Sequence, residues 1–248
     1  MRRFIREVKY LWLEQVFELR SYWPTLVGYS VVMPLMMIYG LSRIGGSPDD
    51  ARTLARLIVG SVIFAVANEA TSVMAIRVST LLQDGTFVYY AALPIRKGTF
   101  ITALILSRSF MVVPAALVPL AAGPAMYNLA FHYNFGLVAV MLLTILVFSV
   151  LGVLLGLTVS TVEIAQLGSS VVLLMLVLAS PVFIAWDLLP GPLQAISLAM
   201  PFTYSADALG RALSGDLGQF FWLDLLVLIG AGMVGVAAVS RSLRRRAF

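Results

Sequence analysis

The chain has 248 residues, of which 60% are hydrophobic and 12% are charged, and its formal net charge is +5. Its mean hydropathy is +0.96. Because soluble domains carry about 25% charged residues, this composition excludes an ordinary soluble globule and indicates a membrane protein. The chain has no cysteine and one histidine, His132. Disulfides, thiolate chemistry and multi-histidine metal centres are therefore excluded.

The first segment, residues 1–20, mixes charged residues with apolar residues spaced three, four or seven apart. Its apolar residues in this pattern are Phe4, Val8, Leu11, Trp12 and Leu19. The charges exclude the uninterrupted apolar core of a signal peptide. The spacing predicts an amphipathic helix lying in the headgroup region of a membrane, and the alternative is a helical extension of the first span.

Six apolar runs follow, each close to the length that crosses a hydrocarbon layer about 30 Å thick. They cover residues 22–42, 54–76, 101–122, 136–160, 165–186 and 220–240. In lipid, backbone groups must pair within the segment, so these runs are predicted to be helices. Twelve of the seventeen Lys and Arg residues lie before the first run, between the second and third, or after the sixth. This bias predicts a multi-pass protein of the cytoplasmic membrane with both termini in the cytoplasm.

The connection between the fifth and sixth runs, residues 187–219, is too long for a simple turn. It contains Pro190 and Pro201, which divide it into two short apolar helices, neither long enough to cross a bilayer. We expect them to be re-entrant outer helices that dip into the outer leaflet. The alternative is a hairpin that lies on the surface and has no part in transport. The positions of interest are Pro190, Pro201, Thr203, Tyr204, Asp207 and Arg211.

The connection between the second and third runs contains a predicted short helix over residues 80–94. Asp84, Gly85 and Thr86 supply residues that favour a helix start, and Pro94 favours its end. Phe87 and Tyr90 share one face of this helix. Such an aromatic face can dock another protein or anchor the connection at the lipid headgroups, and the residues alone favour neither.

These two connections resemble the membrane subunits of a known transporter family. Gly85-Thr86-Phe87, followed by Leu93-Pro94-Ile95-Arg96-Lys97, is similar to a segment of type-2 ABC transporter permeases, which have the type V exporter fold. The run from Leu189 through Pro201-Phe202-Thr203-Tyr204 to Asp207 and Arg211 is similar to the second recurrent segment of that family. The two similarities occur in the family's order.

The resemblance implies an all-α polytopic membrane protein with a single permease domain over residues 1–248. It implies a cytoplasmic coupling helix that docks on a separate ABC ATP-binding subunit, present in two copies, and a second permease chain that forms a homodimer. The implied docking residues are Asp84, Gly85, Thr86, Phe87, Tyr89, Tyr90 and Pro94. Val88 stands where the family usually has Glu, so docking here would depend more on the aromatic residues. In the other connection, Met200 stands where the family usually has Asn.

The chain contains no phosphate-binding loop, because neither Lys9 nor Lys97 follows a glycine-rich turn. We therefore expect no enzymatic activity and no cofactor on this chain, with ATP and magnesium bound by the partner subunit. The basic residues flank apolar runs, which indicates contact with the lipid bilayer rather than with nucleic acid.

Two charged residues lie inside predicted spans at similar depths, Glu69 in the second and Arg108 in the third. Charges in hydrocarbon are costly unless paired, so the two are predicted to pair with each other, or alternatively to line a polar part of the substrate route. An ion-coupled secondary transporter using this pair as a relay is the alternative from another functional class.

Small residues recur at four-residue spacing in the fourth and sixth spans. Gly152 and Gly156 in the fourth span, and Ala231 and Gly235 in the sixth, permit close helix packing, within one chain or at a homodimer interface. The apolar composition favours an amphipathic, drug-like or lipid-like substrate, and the resemblance implies its efflux. A polysaccharide or lipid-linked glycan is the alternative substrate class.

Overall fold

The described part of the chain consists of helices joined by turns and loops. The computed structural model describes residues 23–44, 51–86, 97–183, 186 and 190–245, and within these ranges it contains no strand. The predicted all-α class is therefore confirmed for these residues, whereas the predicted interfacial helix over 1–20 lies outside them. The helices in chain order are α1 Trp23–Ile44, α2 Ala51–Gln83, α3 Lys97–Tyr127, α4 Phe135–Thr158, α5 Val162–Leu178, α6 Gly191–Ser197, α7 Pro201–Ser214 and α8 Gln219–Arg245.

Three helices of the described ranges are long and apolar enough to cross a membrane by themselves. They are α2, α4 and the Gln219–Ser242 part of α8. Two shorter apolar stretches accompany them, Val112–Tyr127 within α3 and the whole of α5. A bundle with several such helices is typical of a membrane protein.

The fifth predicted span is shorter than its apolar run. The run covers 165–186, but α5 has 17 residues and ends at Leu178, which gives it a length of about 26 Å. Residues 179–183 form turns that include Pro181. Proline cannot donate the backbone hydrogen bond that would continue the helix, so the chain leaves the helix here although its hydropathy does not change.

Helix α2 lies at the centre of the bundle, because it contacts α1, α3, α4, α5 and α7. Most of its apolar residues from Leu54 to Leu81 are buried. Helix α8 lies further out and packs on α4 and α7. Its other side exposes Leu226, Met233 and Val234, and such an apolar face requires a lipid environment or a partner.

The glycines predicted to permit close packing do so between helices of this chain. A Cβ atom on Gly152 would lie 2.3 Å from the carbonyl oxygen of Thr71, and one on Gly156 would lie 2.6 Å from that of Ala75. Both contacts join α4 to α2. A Cβ on Gly235 of α8 would lie 2.6 Å from Cγ1 of Val150 in α4. Packing within one chain, the first of the two predicted alternatives, is confirmed for these glycines.

Candidate functional site

Two short helices, α6 and α7, occupy one end of the bundle, which we call the α7 end. Both begin with proline residues near the first helical position, where the missing N–H costs nothing. Helix α7 ends at Gly215, whose φ of +80° is the left-handed conformation that closes many helices. The connection after α5 thus contains two short helices, Gly191–Ser197 and Pro201–Ser214, and their re-entrant outer position stays a prediction.

Helix α7 is fastened to the bundle at both of its ends. At its start, the Phe202 ring packs edge-to-face on Phe148 of α4, with ring centroids 5.9 Å apart. At its end, the backbone N–H of His132 donates to the Leu213 carbonyl at 2.8 Å, and Nδ2 of Asn134 donates to the Ala212 carbonyl at 2.6 Å. These bonds satisfy carbonyls that the last turn of a helix leaves without partners.

Asn134 also connects α7 to the start of α4. Its Oδ1 accepts from the backbone N–H of Leu137 at 3.3 Å, which makes Asn134 the N-cap of α4. One side chain therefore uses its amide group on α7 and its carbonyl group on α4. The loop 128–134 and α7 are held as one unit as a consequence.

A cavity of about 660 Å³ opens at the α7 end. Its walls come from the first two turns of α2, the loop 128–134, the turn after α5, and α7 with the residues that follow it. The apolar part of the lining includes Val59, Leu129, Phe131, Pro181 and Val182. A cavity of this size, with an apolar lining and a few charged groups, is typical of sites that bind small ligands.

Arg211 is the centre of a cluster of charges beside this cavity. Its guanidinium lies 3.3 Å from Oδ2 of Asp224 and 3.7 Å from Oδ2 of Asp216, and it stacks over the ring of Phe220 at 5.2 Å. Asp224 is buried, with 8% of its surface exposed.

Asp207 lies one helical turn before Arg211 and faces the cavity. The surrounding protein raises the pKa of Asp207 by withdrawing water from it, and the nearby charges of Arg211 and Arg56 oppose that shift. Arg56 lies on the opposite wall, in the second turn of α2. The cavity lining therefore combines basic and acidic side chains from α2 and from α7 with the residues that follow it.

The structure brings only some of the predicted outer residues together. Asp207 and Arg211 line the cavity, whereas Thr203 and Tyr204 hold the local fold. Thr203 donates to the Ser180 hydroxyl at 3.2 Å, and the Tyr204 hydroxyl donates to the Leu198 carbonyl at 2.6 Å. Sequence reasoning did not predict that the side chains of four further residues line the cavity: Arg52, Arg56, Phe131 and Asp216. Arg52 and Arg56 are four residues apart, which places them on one helix face, and that spacing was the available signal.

The opposite end of the bundle, the Gln83 end, carries the start of the predicted coupling helix. Residues 80–83 belong to α2 and not to a separate helix over 80–94, so that boundary is corrected. Helix α2 stops because Gly85 has a φ of +67°, a conformation that glycine adopts without strain. Nε2 of Gln83 donates to the Ser160 carbonyl at 3.3 Å, which links this end of α2 to the α4–α5 connection.

Several predicted docking residues lie outside the described part of the chain. Asp84 and Gly85 are exposed and Thr86 is partly exposed, whereas Phe87, Tyr89, Tyr90 and Pro94 lie in the range that is not described. Their predicted docking role stays a prediction.

Glu69 is buried in the middle of α2, with 7% of its surface exposed. The backbone of Arg108 belongs to α3, which packs on α2, but the side chain of Arg108 lies outside the described part. The pairing of these two residues therefore stays a prediction too.

Comparison with known protein families decides the class of the chain. A family model described as ABC-2 type transporter matches residues 8–212, which is most of the sequence. The chain belongs to the ABC-2 type transporter family. It is a membrane permease of an ABC transporter, as the resemblance of the two connections predicts, and permeases of this family typically work with ATP-binding subunits. No curated protein matches this permease significantly.

Proposed function

We propose that this permease is the transmembrane subunit of an ATP-driven exporter, and that it moves an amphipathic, drug-like or lipid-like substrate out of the cell. It acts as a homodimer with two copies of a separate ATP-binding subunit, which bind ATP and magnesium. The six spans are α1 to α5 and α8, and both termini lie in the cytoplasm. The family match over residues 8–212 is the observation that carries this proposal.

The arrangement of the two ends supports this orientation. Leu81 of α2, Leu157 of α4 and Val239 of α8 share one core cluster. The C-terminal part of α8 and the segment after α2 therefore lie at the same end, as the distribution of basic residues predicts. The α7 end, with its two short helices, then faces outward.

The length of α2 supports docking at the Gln83 end. Its 33 residues extend over about 50 Å, which is longer than a hydrocarbon layer of about 30 Å. Helix α2 therefore projects beyond the layer, and the predicted docking segment that begins at Asp84 follows directly from that projection. A partner bound there contacts the permease through the helix that packs on most of the others.

The docking proposal is tested by aromatic truncation. The permease is coexpressed with its candidate ATP-binding subunit, copurified, and assayed for ATP hydrolysis in proteoliposomes. Phe87→Ala and Tyr90→Ala are expected to reduce copurification and substrate-stimulated hydrolysis at least tenfold, since truncating an aromatic anchor at an interface costs about 2 kcal/mol or more.

Phe135→Ala is the matched control for this experiment. Phe135 is also an aromatic residue, with 88% of its surface exposed, and it lies at the start of α4, the opposite end of the bundle. This variant is expected to behave as the wild type does. If Phe87→Ala and Tyr90→Ala leave hydrolysis and copurification unchanged as well, the docking assignment is wrong.

The direction and the energy source are tested by transport in oriented vesicles. The expected result is ATP-dependent movement of a fluorescent amphiphile away from the side that binds the ATP-binding subunit. Transport by the permease alone, driven by an ion gradient and abolished by Glu69→Gln, would instead support the secondary-transporter alternative.

A further inference from the structure

The cavity at the α7 end carries charges that the fold of the chain does not neutralise by direct contact. Arg211 is already engaged by Asp216 and Asp224 on its own side of the cavity. Arg56 and Asp207 differ from it, because within the described residues neither forms an ion pair within 4.0 Å. Both side chains are exposed and both line the cavity.

The two charges lie on opposite walls. Arg56 belongs to the second turn of α2 and Asp207 to the second turn of α7, and the space between them is the cavity. The two side chains do not form an ion pair within 4.0 Å with each other. A ligand that places a negative group beside Arg56 and a positive group beside Asp207 satisfies both, whereas a ligand with one charge satisfies only one of them.

Besides its charged residues and Ser214, the lining is apolar. Val59 lies almost one turn deeper along α2 than Arg56, and Phe131 and Val182 add apolar surface from two other parts of the chain. Along α2, the charged Arg56 therefore lies nearer the start of the helix, and the apolar Val59 lies nearer the middle of the bundle. This order matches a molecule with a charged head and an apolar chain.

We propose that this cavity binds a zwitterionic amphiphile whose head carries an anionic phosphate and a primary ammonium group, the chemistry of a phosphatidylethanolamine headgroup. The phosphate lies beside Arg56, and the ammonium donates hydrogen bonds to the carboxylate of Asp207. A quaternary ammonium has no N–H to donate, so phosphatidylcholine fits less well. An anionic head such as phosphatidylglycerol leaves Asp207 opposed by a like charge. The proposal concerns binding to this chain, and it holds whether or not the permease is an ATP-driven exporter.

The test uses native mass spectrometry of the delipidated full chain in detergent micelles. The chain is titrated separately with dioleoyl phosphatidylethanolamine, dioleoyl phosphatidylcholine and dioleoyl phosphatidylglycerol, and with glycerophosphoethanolamine, which has the same head without chains. We expect phosphatidylethanolamine to bind at least tenfold more tightly than the other three. Equal binding of the three lipids would overturn the proposal, and equal binding of glycerophosphoethanolamine would overturn the role of the apolar lining.

Two substitutions locate the site. Arg56→Gln and Asp207→Asn are each expected to lower the affinity for phosphatidylethanolamine about tenfold and to remove the preference over phosphatidylcholine. Arg43→Gln is the matched control, because Arg43 is also exposed near this end but stacks over Tyr39 of its own helix and does not line the cavity. Should Asp207→Asn not fold, Asp207→Glu retains the carboxylate and is expected to keep the preference. Arg56→Gln with unchanged affinity and preference would refute the assignment of the site.

Discussion

Replacing Gly152 by alanine adds one methyl group at the point where α4 lies closest to α2. The new Cβ atom would lie 2.3 Å from the Thr71 carbonyl oxygen and 2.7 Å from Cβ of Met74. The first of these falls about 1.1 Å short of the 3.4 Å at which ordinary contacts begin. A backbone carbonyl within a helix cannot rotate away, so the two helices must separate.

The size of the effect follows from two opposing contributions. Overpacking of a filled interior costs up to about 3 kcal/mol, and an alanine in place of a helical glycine returns about 1 kcal/mol. We expect a net loss of about 2 kcal/mol in the free energy of unfolding, which lowers the melting temperature by about 4–8 °C for a chain of this size. Thermal unfolding of the purified permease in detergent, followed by tryptophan fluorescence, measures this shift.

Gly230→Ala is the matched control, since Gly230 lies inside α8 and a Cβ there would meet nothing within 4 Å. That variant is expected to melt at the wild-type temperature or slightly above it. If Gly152→Ala and Gly230→Ala have the same melting temperature, the close contact between α2 and α4 does not exist in the folded protein.

Three further predictions test the α7 end. Asn134→Ala removes both the cap of α4 and the bond to α7, and we expect it to cost about 2 kcal/mol; Asn134→Asp keeps the cap acceptor and should cost less, and equal losses in thermal unfolding would contradict the double role. Arg211→Gln leaves the buried Asp224 without its partner and is expected to cost about 2 kcal/mol, a value reduced because Arg211 is partly exposed. Adding Asp224→Asn should recover part of this loss, whereas additive losses would show that the two residues do not interact. Because the folded protein raises the pKa of Asp207, ionisation of Asp207 destabilises the fold at neutral pH, and this effect fades as the pH falls through the raised pKa. Asp207→Asn should therefore be slightly more stable than the lipid-free wild type at pH 7 and should match it below pH 3.8; a variant that is less stable at pH 7 would contradict this.

The helices and their order could be predicted from the sequence because lipid restricts the backbone so strongly. Long apolar runs must become helices, and the runs that predicted α1 and α4 differ from the observed helices by only one or two residues at each end. Turn chemistry predicted the two short helices equally well, since Pro190 is the N-cap of α6 and Pro201 is the first residue of α7. The small residues Gly152 and Gly156 predicted a close contact without identifying the partner helix.

Hydropathy predicted helix ends poorly where the local backbone geometry of a proline or a glycine decides where the helix stops. Helix α5 ends before Pro181, although the apolar run continues past this residue. Helix α2 continues for seven residues beyond its apolar run and ends only just before Gly85. The cavity could not be predicted, because its walls come from parts of the chain more than 150 residues apart, such as Arg56 and Asp216. A single sequence carries no information on which of these segments meet.

Helix α2 has no proline along its 33 residues, unlike α1 and α3. A helix without such a break moves as a stiff rod, since kinks arise mainly at proline. One end of this rod carries Asp84, where the ATP-binding subunit is proposed to dock, and the other end carries Arg56 of the cavity wall. A push delivered at the Asp84 tip would therefore reach the cavity wall directly, without a chain of intermediate contacts.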